Sequence, residues 1–76
     1  MARTKIRKAF RYFSLTAQTH VDLEAGDYEV RVFGSLYPER GGSRLEIRYL
    51  YRDGIEYGPF SQEHWTRLIA DGVIEP

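Results

Sequence analysis

The chain of 76 residues contains no cysteine. That excludes a disulfide framework and any thiolate metal site. It has two histidines, His20 and His64, well separated and with no cysteine to complete a ligand set, so structural zinc is disfavoured. No apolar run approaches the ~20 residues of a membrane span. The basic N-terminus is not followed by the apolar stretch of a secretory signal, so the expected location is the cytoplasm. Formal net charge is zero, so the chain lacks the overall basic excess of a nucleic-acid domain. Its length predicts one domain, residues 1–76. A domain this small buries only roughly 60% of its unfolded surface and folds with little margin.

The charge that is present is unevenly placed. Arg3, Lys5, Arg7, Lys8 and Arg11 fall before the first acid, Asp22. This +5 arm precedes a body of six basic and eleven acidic residues. One reading is a solvated strand edge, where basic side chains discourage edge pairing. The other is a patch for nucleic acid or an acidic protein surface. Arg7, Phe10, Arg11, Tyr12 and Phe13 interleave basic and aromatic groups as stacking platforms do. The acidic body would repel phosphates, and nucleic acid is the less favoured partner.

Alternation dominates the chain. Ile6, Phe10 and Tyr12 share a face of an expected strand over residues 5–13. SLTAQT is a polar connection. Residues 20–33 read as a hairpin turning at Glu24-Ala25-Gly26-Asp27. Residues 34–43, with three glycines and a proline, read as a long loop. From Arg44, Leu45, Ile47, Tyr49 and Tyr51 alternate with Glu46, Arg48, Leu50 and Arg52, and Asp53-Gly54 signals a tight turn. Ile55-Glu56-Tyr57 is a return strand expected to stop at Pro59, which cannot donate to a ladder. Ser61 is a helix N-cap. Trp65, Leu68, Ile69 and Gly72 mark one face of the following helix, with Gly72 as its stop. Tyr49, Trp65, Leu68 and Ile69 are the expected core under that helix. The predicted fold class is α+β: an antiparallel sheet of four to five strands with one C-terminal helix packed on it.

The stretch over residues 45–74 resembles the GYF domains, small adaptors that bind proline-rich peptides. Tyr49-Leu50-Tyr51 is followed after six residues by Gly58-Pro59-Phe60. Four residues later comes Trp65, two more reach Leu68, and three more reach Gly72-Val73-Ile74. The spacing is the family's. Leu68 and Val73 stand where the family has tryptophan and tyrosine. The resemblance implies a peptide groove walled by Tyr51, Tyr57 and Phe60 and lined by Leu68 and Val73. A looser likeness, in the basic first strand and the closing LIADGVIEP, is to small accessory proteins of bacteriophage and prophage genomes.

The expected function is therefore a non-enzymatic protein-interaction module, GYF-like, that binds a partner peptide or protein through an aromatic-walled surface. The alternative is a phage-encoded accessory protein: a virion component, or an inhibitor of a host protein such as a defence or transcription complex, acting in the host cytoplasm or in the virion. Gly41-Gly42-Ser43 lacks the lysine and helix of a phosphate-binding loop. No local arrangement points to an activated nucleophile, so neither enzyme nor cofactor is expected. Exposed strand edges leave room for a homodimer.

Overall fold

The computed structural model describes residues 2–37 and 43–76, with side chains described for 2–34 and 46–76. Six strands and one helix follow in order: β1 (Ala2–Ile6), β2 (Phe10–Ser14), β3 (Thr19–Leu23), β4 (Gly26–Tyr37), β5 (Ser43–Arg52), β6 (Ile55–Ser61) and α1 (Gln62–Ala70). The class is α+β. All strand pairs are antiparallel, but they form two sheets rather than one. The larger has the order β1-β4-β5-β6, and β2-β3 is a separate hairpin.

Two sequence expectations fail for the same reason. The strand over residues 5–13 is broken into β1 and β2, because the Arg7 N–H donates to the Val73 carbonyl at 2.7 Å and turns the chain away. Ile6, Phe10 and Tyr12 keep one parity across the break, and Lys8 at that same parity is the one local mark of it. The expected hairpin at Gly26 is a corner between sheets: β3 pairs with β2, while β4 pairs with β1 and β5. The Tyr28 hydroxyl donates to the Glu24 carbonyl at 2.7 Å. The Arg52 guanidinium lies where a Cβ on Gly26 would be, 3.0 Å away. Arg52 is far from Gly26 in sequence, beyond what a local turn signal can register.

In the expected loop over residues 34–43, the described residues, 34–37 and 43, are strand. β4 runs to Tyr37 and β5 begins at Ser43, paired from Gly34↔Glu46 to Tyr37↔Ser43. Residues 38–42 lie outside the described residues. Asp53 and Gly54 make the predicted turn, at φ 53° and 76°.

β6 does not stop at Pro59. Arg48 pairs with Phe60 and Leu50 with Tyr57, so Gly58 and Pro59 stand together opposite Tyr49 in a bulge. Pro59 lies on an edge strand at the point where the ladder skips, which is where a residue without an N–H is tolerated. Ser61 caps α1 as expected, its Oγ accepting the His64 N–H at 3.1 Å. Gly72, at φ 73°, ends the helix. The Gly72 N–H donates to Ile69 and the Val73 N–H to Leu68, both at 3.0 Å, closing the last turn as a Schellman motif. Ile74 then enters the core and bridges Ile6.

The core lies on one face of the larger sheet, here the inner face. Ile6, Tyr28, Leu50 and Phe60 project from the sheet, Tyr12 and Leu23 from the hairpin, Trp65 and Leu68 from the helix, and Ile74 from the C-terminal segment. Tyr12 and Phe10 pack on Phe60 with ring centroids 4.8 and 6.1 Å away. Arg48 spreads over the Trp65 ring at 5.5 Å and Arg52 over Tyr28 at 5.3 Å, their stems covering apolar surface.

Candidate functional site

The face of β5 that is buried is the opposite of the one its composition favours. Ile47, Tyr49 and Tyr51 point outward, while Leu50 is fully buried between Arg48 and Arg52. Tyr49 is therefore not core beneath the helix. Across the β4–β5 ladder, Phe33 stands beside Ile47, Arg31 beside Tyr49 and Glu29 beside Tyr51. This outer face carries a row of aromatic rings. Phe33 meets Tyr49 edge-on at 5.6 Å, and Tyr49 lies 6.5 Å from Tyr51. Phe33 is 50% exposed and the others are half-buried. With Glu56 they border a shallow depression of about 380 Å³.

Polar groups fix one end of this row. The Tyr51 hydroxyl donates to Glu56 Oε2 at 2.7 Å. Arg31 lies over the Tyr51 ring at 4.5 Å and bonds to Glu29 at 3.1 Å. The hydrogen bond to Glu56 is the first cause, and burial the second, that hold the Tyr51 phenol above its ordinary pKa. The bond to Glu29 likewise raises Arg31. The ladders place Arg3 beside Glu29 and Lys5 beside Asp27 on the same face, so its charges alternate in sign.

The five residues that the GYF resemblance assigns to a groove are divided. Phe60 is 0% exposed and Leu68 is buried beside it in the core. Tyr57 is half-buried on the inner face, edge-on to Tyr28 at 5.9 Å, and burial raises its pKa. Val73 is half-buried at the end of the helix, packed against the core. Tyr51 alone is on the outer face. The five do not share one open surface, because Phe10 and Tyr12 of the β2–β3 hairpin cover Phe60. Between hairpin and β6 a cleft of about 300 Å³ remains, lined by Tyr12, Val21, Ile55 and Tyr57 among others.

The basic–aromatic platform of β2 is divided by the same packing, with Arg11 and Phe13 left exposed. Tyr12 is buried and Phe10 half-buried. Arg11 is bonded to Asp22 at 2.8 Å and Arg7 to Glu75 at 3.4 Å. The bond between Arg11 and Asp22 raises the one and lowers the other. His20 packs on Phe13 at 5.3 Å and His64 on Phe60 at 5.6 Å. Among the described residues no group of three potential ligands converges on a metal site. Nor is any described helix long and apolar enough to cross a membrane.

Phe33 and Ile47 are the members of the outer row that sequence reasoning missed. The usable signal is the shared parity of Ile47, Tyr49 and Tyr51, of which only Tyr49 is expected as core and Tyr51 as groove wall. No protein-family model matches the chain, and neither the curated proteins nor the solved structures contain a match.

Proposed function

We propose that this chain is a non-enzymatic protein-interaction module whose contact surface is the outer face of the larger sheet. The observation that carries the reading is the row Phe33, Tyr49 and Tyr51, rings on a sheet whose helix and hairpin both lie on the other side. Phe33 is exposed and Tyr49 and Tyr51 half-buried, and aromatic rings grouped on a face that no other described element covers are usual anchors of recognition.

The ligand that fits this row is an extended, proline-bearing segment of another protein. Flat rings stack on the faces of a preformed polyproline II helix. The Tyr51–Glu56 bond holds one ring in place before binding, which lowers the ordering cost. Alternating charges around the row offer no single-sign field, so recognition rests on shape and stacking rather than on net charge.

An amide chemical-shift titration with a short Pro-Pro-Gly peptide tests this. Saturable shifts at Phe33, Ile47, Tyr49 and Tyr51 are expected. Shifts confined to Tyr57 and Val73 would move the site to the inner face. An unchanged spectrum would remove the proline-rich reading.

A further inference from the structure

Among the described residues the larger sheet has four free stretches of edge, and three of them are defended. β1 is short and carries Arg3 and Lys5. β6 carries Pro59 and a bulge. The part of β5 that β6 does not reach, Ser43–Glu46, includes Arg44 and Glu46. Charges, proline, bulges and short length are the devices by which edge strands avoid pairing with another chain.

The remaining edge has none of these. β1 pairs with β4 only over Gly26–Val30. β5 pairs with β4 on its other side from Glu29 through Tyr37. Among the described residues nothing pairs with the β1 side of Val32–Tyr37. That segment reads Val-Phe-Gly-Ser-Leu-Tyr, with no charge and no proline. Arg31, just before it, is turned back onto Glu29 and Tyr51. Val32 is 51% exposed on one face and Phe33 50% exposed on the other.

We infer that this edge is the contact between two copies of the chain. Two identical strands can pair antiparallel about a two-fold axis through Gly34 or Ser35, with each face of the sheet continuing across the join. The uncharged segment meets itself without repulsion. The zero net charge of the chain removes the longer-range barrier that keeps strongly charged proteins apart. A partner of strong single-sign charge would find nothing to select it on this edge. The joined sheet would bring two Phe33–Tyr49–Tyr51 rows onto one surface. The edge contact itself rests on backbone register and does not require that those rows bind a ligand.

Sedimentation equilibrium of the full chain, combined with amide hydrogen exchange, tests the inference. The expected mass is twice the 8.9 kDa of one chain at high concentration, falling to one chain on dilution. In the dimer, successive amides of Val32–Tyr37 are all protected, because both edges of the strand are paired. In a monomer only alternate ones are. Gly34→Lys sets like charges near the axis and is expected to raise the midpoint concentration by about tenfold or more. A single-chain mass at every concentration would overturn the inference. So would alternate-only protection, or a dimer that a folded Gly34→Lys variant leaves unmoved.

Discussion

The Tyr12 hydroxyl accepts a hydrogen bond from the backbone N–H of Gly58 at 2.9 Å, joining the hairpin to the bulge of β6. Tyr12 is only 7% exposed. Tyr12→Phe keeps the ring on Phe60 but leaves that N–H without its partner. The expected loss is about 1–2 kcal/mol of unfolding free energy. Urea denaturation of the two proteins measures it.

Phe60 and Tyr49 are near neighbours across the β5–β6 ladder and face opposite ways. Phe60→Ala opens a cavity among Phe10, Tyr12 and Trp65 and is expected to cost about 3–5 kcal/mol. That is much of the stability of a domain whose total is about 5–15 kcal/mol. Tyr49→Ala removes only ring contacts with Phe33 and Tyr51 and is expected to cost about 1 kcal/mol. Thermal melts of both variants check the contrast. Similar losses would mean that the two faces do not differ in burial.

Gly58 sits at φ 122°, and a Cβ there would stand 3.0 Å from the Arg48 carbonyl oxygen and 3.2 Å from the Phe60 ring. Gly58→Ala is therefore expected to destabilise by about 1–3 kcal/mol through strain and crowding together. Gly54→Ala meets nothing within 4 Å and carries only the strain of its positive φ. Chemical denaturation should rank the first variant below the second.

The Tyr51 phenol is raised above its ordinary 10.0, first by the bond to Glu56. The folded state thus favours its protonated form. Its contribution to stability is present below the unfolded pKa and is lost as pH rises through the folded one. An alkaline titration followed by tyrosinate absorbance should show late-ionising tyrosines, of which Tyr51→Phe removes one and leaves Tyr57, which burial raises. Glu56→Ala should bring Tyr51 back toward the ordinary value.

Much of the architecture was legible locally. Ser61, Gly72 and Asp53-Gly54 act through their own backbone and nearest neighbours, and all three do in the structure what their residue types predict. The α+β class and the β5–β6–α1 succession follow from such signals. The errors fall where a distant group decides. Ile6, Phe10 and Tyr12 keep one parity with Lys8 between them, yet the bond to Val73 breaks the strand there. Gly26 is as good a residue for a corner as for a hairpin, and Arg52, packed against it from β5, accompanies a corner. β5 offers Ile47, Tyr49 and Tyr51 on one face and a lone Leu50 on the other. Counting apolar residues favours the wrong side, because Arg48 and Arg52 bury their stems and their charges do not mark an outer face. The five residues expected to share a groove are divided for a related reason: the hairpin that covers Phe60 on the inner face has no local signature.

Calorimetric titration of the Pro-Pro-Gly peptide into the parent chain and into Tyr49→Ala, with amide spectra confirming both folds, tests the outer-face account most directly. Saturable binding by the parent that weakens at least about thirtyfold in the variant, the size of a hot-spot loss, is the result predicted. Binding of equal strength in a folded Tyr49→Ala would contradict it.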